Sequence, residues 1–216
     1  MIPFTVEQFF AIFGNYNDAI WPSQIVAYIL GIVVLVLAFR GDTLSSGIIS
    51  GILALFWIWM GVFYHIVQFS VINPAAWIFG IFYILQGLLF FLFGTIWGRL
   101  AFRFMLKPLP IIGGCFILYA MVVYPLLGIG FGHSYPRAPM FGVAPCPTTI
   151  FTFGILLWAT KAMPIYLLVI PLLWSIIGMS AAVNLRVPQD YGLVVAGLLG
   201  TALILNRDRK AKRATQ

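Results

Sequence analysis

The chain has 216 residues, of which 62% are hydrophobic and only 8% charged, and its mean hydropathy is +1.06. That is too little charge to clothe a water-soluble domain of this length. At roughly 20 apolar residues per spanning helix, about seven spans would use most of the chain and leave no room for a second, soluble domain. The net charge of +7 does not signal nucleic acid, because the basic residues sit in short loops and a tail between apolar runs, where the positive-inside rule accounts for them.

Residues 4–13 predict a short amphipathic helix on the membrane surface. Thr5 and Gln8 form a capping-box pair, and Val6, Phe9, Phe10 and Phe13 share one face. The start of the chain lacks a basic segment and carries Glu7, so no cleavable signal peptide is expected and the first span serves as the insertion signal. A polar turn, GNYNDAIWP, follows. Seven apolar runs come next, near residues 21–39, 44–69, 75–98, 109–131, 147–160, 164–183 and 191–205, and residues 206–216 form a basic tail. The fifth and sixth runs are separated only by Lys161, Ala162, Met163 and Pro164, and merging them would reduce the count to six. Charge favours seven. One side then receives Arg40, Arg99, Arg103, Lys107, Lys161 and the five basic residues of the tail, ten in all, while the other receives only Arg137 and Arg186. The expected fold is therefore an all-α transmembrane bundle forming one domain, with the N-terminus outside, the C-terminus cytoplasmic and the tail on anionic headgroups. Gly47 and Gly51, then Gly80, Gly87 and Gly94, then Gly192, Ala196 and Gly200 recur at helical spacings and predict seams for close helix packing.

Polar residues inside spans are costly and mark functional positions by default. In the second run Trp57, Gly61, Tyr64 and Gln68 fall on one helical face, with His65 beside Tyr64, Asn73 closing the helix and Gln86 projecting from the third run. The 132–146 loop adds His133, Arg137 and Met140, and ends in Pro-Cys-Pro-Thr-Thr, which sets Cys146 and Thr148 at the start of the fifth run. The orientation brings these groups to the outer half of the bundle, where three chemistries compete. The polar groups can recognise a small molecule. His65, His133 and Cys146, with Met140, have the donor types of a soft or borderline metal site. Cys146 with a histidine base has the makings of a thiol nucleophile. No zinc-protease, serine-hydrolase or phosphate-loop motif is present, and the last run has no lysine for a retinal Schiff base. Cys115 and Cys146 are not expected to pair.

The stretches FTVEQFFAIFGNYNDAIWPSQIVAYILG, WIWMGVFYHIVQFSVINPAAWIFGIFYILQG and APCPTTIFTFG resemble an uncharacterised family of small bacterial multi-pass membrane proteins, known only as a domain of unknown function. That resemblance implies a bacterial inner membrane and brings with it no activity, cofactor or catalytic residue. The leading expectation is binding or transport of a small solute or ion through the outer polar site. A structural subunit of a larger membrane complex or homo-oligomer, and a membrane enzyme or metal-binding protein using Cys146 and His65, are the alternatives.

Overall fold

The computed structural model describes residues 3–214. Among these residues eight helices account for the architecture: α1 (Val6–Ala19), α2 (Ser23–Arg40), α3 (Thr43–Val71), α4 (Ala76–Ile96), α5 (Pro108–Gly130), α6 (Pro145–Leu157), α7 (Tyr166–Asn184) and α8 (Tyr191–Ala214). Six of them, α2 to α5, α7 and α8, are long and apolar enough to cross a membrane. Their surface is inverted relative to a soluble bundle. In α2 the inward positions are Gln24, Ala27, Gly31, Val34 and Ala38, while Ile25, Ile29, Val36 and Phe39 point outward. Lipid is as apolar as a protein core, so large aliphatic groups face out and small ones let the backbones approach.

The helices enclose α6, whose residues are all buried except Cys146, which is half-buried. At 1.5 Å per residue its 13 residues span only about 20 Å, less than the ~30 Å of a hydrocarbon core. It still joins the two ends of the bundle, because the segments on either side fold inward to meet it. At one end Arg103 N–H donates to Trp158 O (3.0 Å), Phe104 N–H to Ala38 O (3.0 Å) and Thr160 N–H to Ala101 O (2.8 Å). Arg207 reaches Ala159 O at 2.6 Å and the Lys161 ammonium reaches Gly98 O at 3.2 Å. This is the basic end. At the other, the loop end, Gly142 N–H donates to the Thr148 hydroxyl and Ala144 N–H to Met140 O. Irregular backbone is tolerable at membrane depth only where protein satisfies it in this way.

Two expected elements differ. The first helix does not stop near Phe13 but continues to Ala19, because Tyr16 and Asn17 are buried against the bundle and hold the polar GNYND stretch helical. Its Thr5–Gln8 capping box is present, and its apolar face packs on protein: Phe9, Phe10 and Phe13 are all buried. The tail likewise continues α8 to Ala214, pinned where Asp208 accepts from Met163 N–H at 2.8 Å and pairs with Arg207. Residues 215 and 216 of the expected tail lie outside the described residues.

The expected glycine seams of α4 and α8 are close-packed, though their partners were not foreseeable, and the Gly47–Gly51 pair is not a tight seam. Gly80 lies against Gly61, whose carbonyl is 2.8 Å from where a Gly80 side chain would begin, while Gly47 has open space around it. The closest approach to the centre is between α5 and α6, where Gly113 and Gly154 each abut the other's carbonyl. We expect Gly113→Ala and Gly154→Ala each to destabilise by about 1–3 kcal/mol through overpacking, seen as lower midpoints of thermal unfolding in detergent. Gly47→Ala should leave the midpoint unchanged.

Candidate functional site

A cavity of about 250 Å³ opens at the loop end between α1, the end of α3, the start of α6, α7 and the turn before α8. Phe9 and Phe13 of α1, Tyr64 and Phe69 of α3, Phe79 of α4 and Trp174 of α7 supply aromatic walls, and Asn73, Cys146, Ser180 and Asp190 supply polar groups.

The α3 wall depends on a change of helical pitch. From Met60 to Gln68 the helix is π-helical, with i→i+5 hydrogen bonding. The inward positions therefore become Met60, Gly61, Tyr64, His65 and Phe69. Counting at α-helical spacing put Gln68 on that face. The wider turn instead moves it to an outer groove beside Tyr16 and Trp59. His65 is turned fully inside, one layer behind the cavity wall, with the rings of Tyr83 and Trp174 at 4.6 and 5.0 Å. Neither of its ring nitrogens has a hydrogen-bond partner, nor does the Trp174 indole N–H.

Several expected site residues serve the frame instead. The Trp57 indole donates to the Thr152 hydroxyl at 3.0 Å, and Thr152 in turn donates to Thr148 O. Thr148 donates to Ala144 O at 2.7 Å while accepting from Gly142 N–H. Gln86 donates to Leu167 O at 3.2 Å. That carbonyl lies four residues before Pro171, inside α7, and a proline has no N–H to offer it. The same device recurs in α5, where Pro125 leaves Met121 O free and the Tyr28 hydroxyl donates to it at 3.1 Å. Arg137 pairs with Glu7 of α1. His133 stacks on Phe10 at 3.9 Å and lines a separate pocket of about 90 Å³ with Met140 and Gln189.

Of the ten expected ligand-binding positions, the cavity thus gathers Tyr64, Asn73 and Cys146. His65, His133 and Cys146 stand in three different surroundings. Among the described residues no three His, Cys, Asp or Glu side chains converge as a metal cage. The Cys146 thiol lies beside Asp190 at the cavity wall. Both cysteines are free.

Asp190 is the group the sequence reading missed. It is 1% exposed and its carboxylate accepts from the Tyr124 hydroxyl at 2.6 Å. The adjoining Gln189 carbonyl accepts from Tyr119 at 2.8 Å, so two tyrosines of α5 fix the turn that presents it. Its only signal was position. An acid in the first turn of an apolar run reads as an ordinary helix-start residue.

The loop over the cavity is ordered by α1. The Asn17 amide donates to Pro136 O and Ala138 O at 2.6 and 2.8 Å, and the Tyr16 hydroxyl donates to Val143 O at 2.9 Å.

A bundle of six long apolar helices around a buried seventh, with aliphatic side chains facing outward, is a multi-pass membrane protein in contact with the lipid bilayer. The model of the DUF6064 family, a family of unknown function, matches residues 6–215, and the chain belongs to that family. No curated protein and no solved structure matches it.

Two outcomes are expected. Gln86→Leu leaves Leu167 O unpaired and destabilises by about 1 kcal/mol. Adding Pro171→Ala restores an α7 N–H to that carbonyl, so the double variant should recover much of the loss in thermal unfolding. Burial against Phe10 holds the His133 imidazole below its ordinary value of 6.5. The folded state therefore favours the neutral ring, and that contribution is whole above the ordinary value and lost as the pH falls through the lowered one. Proteolysis of the 131–144 loop should accelerate on acidification through this range, and His133→Phe should flatten the dependence.

Proposed function

We propose that the protein binds a compact, largely apolar molecule in the loop-end cavity, with the ligand's polar end at Asp190, Cys146 and Tyr64. The observation that carries this reading is the cavity itself, an aromatic chamber of about 250 Å³ with a few polar groups in its wall. Small-molecule sites have that composition, and this volume lies just under the ~300 Å³ at which pockets for drug-sized ligands begin. On the asymmetry of basic charge we read the basic end as cytoplasmic and the cavity as open toward the outer half of an inner membrane.

Binding is favoured over passage. Beyond the cavity α6 is packed on every side, with Ile150, Phe151, Phe153, Ile155 and Leu156 all at 0% exposure. A thiol enzyme is less well supported, because among the described residues no histidine is hydrogen-bonded to Cys146 to act as its base.

Cys146 reports on the cavity. In a Cys115→Ala background it is the remaining thiol. In nanodiscs a small uncharged maleimide should label it at a measurable rate. Ser180→Trp, at the exposed edge of the chamber, should slow labelling several-fold without lowering the unfolding midpoint, and compact aromatic ligands should protect the thiol. A labelling rate indifferent to both would remove the site.

A further inference from the structure

The chain has five acidic residues. Glu7, Asp42 and Asp208 each pair with an arginine, namely Arg137, Arg40 and Arg207, and Asp18 is exposed. Asp190 is different: it is buried, it lines the cavity, and among the described residues no lysine or arginine pairs with it. The groups that face it are Tyr119 and Tyr124 from α5, Cys146 from α6, and Tyr64 and Tyr83 from α3 and α4. All of these are neutral hydroxyls or a thiol. Tyr124 donates to its carboxyl oxygen, and none of them brings a positive charge. A carboxylate buried without a countercharge is costly, and the cost is relieved either by a proton on Asp190 or by a cation in the chamber beside it.

The walls identify the kind of charge. Phe9, Phe13, Tyr64, Phe69, Phe79 and Trp174 line the same space. Aromatic faces attract a cation, most strongly when it is desolvated, and substituted ammonium groups are recognised in this way. A bare metal ion needs a shell of oxygen, nitrogen or sulfur donors, which mostly hydrocarbon walls do not offer. An anion meets a carboxylate.

We propose that the cavity takes a compact organic cation, a substituted ammonium bearing an apolar group, with Asp190 as its counter-ion and the aromatic rings as its cage. This rests on the reading that the chamber is a binding site, and it narrows that reading to one ligand class.

The test separates the two claims. Benzyltrimethylammonium and neopentylbenzene have the same shape and differ in charge. Each is titrated against maleimide labelling of Cys146 in the Cys115→Ala protein in nanodiscs. The cation is expected to reach half-protection at a concentration at least about tenfold lower than the neutral isostere. Asp190→Asn should raise the cation's value to that of the isostere and leave the isostere's own unchanged. Equal protection by both compounds in the unsubstituted-Asp190 protein overturns the cation assignment and leaves the binding site standing. Protection by neither overturns both. The comparison of the two compounds on the Asp190 protein decides the matter by itself should Asp190→Asn fail to fold.

Discussion

In hydrocarbon there is no water to complete a hydrogen bond, so each backbone polar group has to find its partner within the protein. The structure is organised around the freedom that α6 gains under that constraint. Because its neighbours enclose it, its length need not match the bilayer. The chain at both of its ends can dip inward and irregular backbone can sit at depth. The cavity lies where one of those inward-folding segments, the 131–144 loop, meets the N-terminal turn of α6. A full-length helix at the centre would fill that space.

The same constraint explains why so many buried polar side chains do no chemistry. Two prolines interrupt α5 and α7, each freeing one carbonyl, and Tyr28 and Gln86 reach across from neighbouring helices to meet them. Thr148 and Thr152 of α6 return their hydroxyls to carbonyls one turn back, and Thr152 receives Trp57 on the way. These bonds tie helices together in pairs, in a medium where burial of apolar surface gives little preference for one neighbour over another. Around the chamber what remains after them is Asp190 without a basic partner, Cys146 beside it, the Trp174 indole N–H and the His65 ring, whose nitrogens are both unpaired.

The membrane bundle was legible in the sequence because hydropathy over 20 residues is a large signal, and each apolar run has its helix. The Thr5–Gln8 cap and the α4 glycines were legible because both are local patterns. The end of α1 was not, since Gly14, Asn15 and Asn17 favour a turn on their own, and contacts that include residues more than a hundred positions away hold them helical. The π-helical stretch of α3 was equally hidden. Residue spacing assumes a fixed pitch, and one wide turn was enough to exchange Gln68 for Phe69 on the inward face. Gln86 was correctly placed inside, but its partner is a carbonyl, and carbonyls carry no side-chain signature. Asp190 was visible only as a boundary, because its burial depends on α5 and α6 closing over it.

The docking of α1 has a consequence for how the protein is made. Tyr16, Asn17, Phe10 and Glu7 find their partners at Val143, Pro136, Ala138, His133 and Arg137. Synthesis runs from α1 toward those partners, so although α3 can meet its aromatic face early, these loop contacts wait until four later helices, α2 to α5, have been made. The roof of the chamber, which joins α1 to the 131–144 loop, is therefore completed late in assembly.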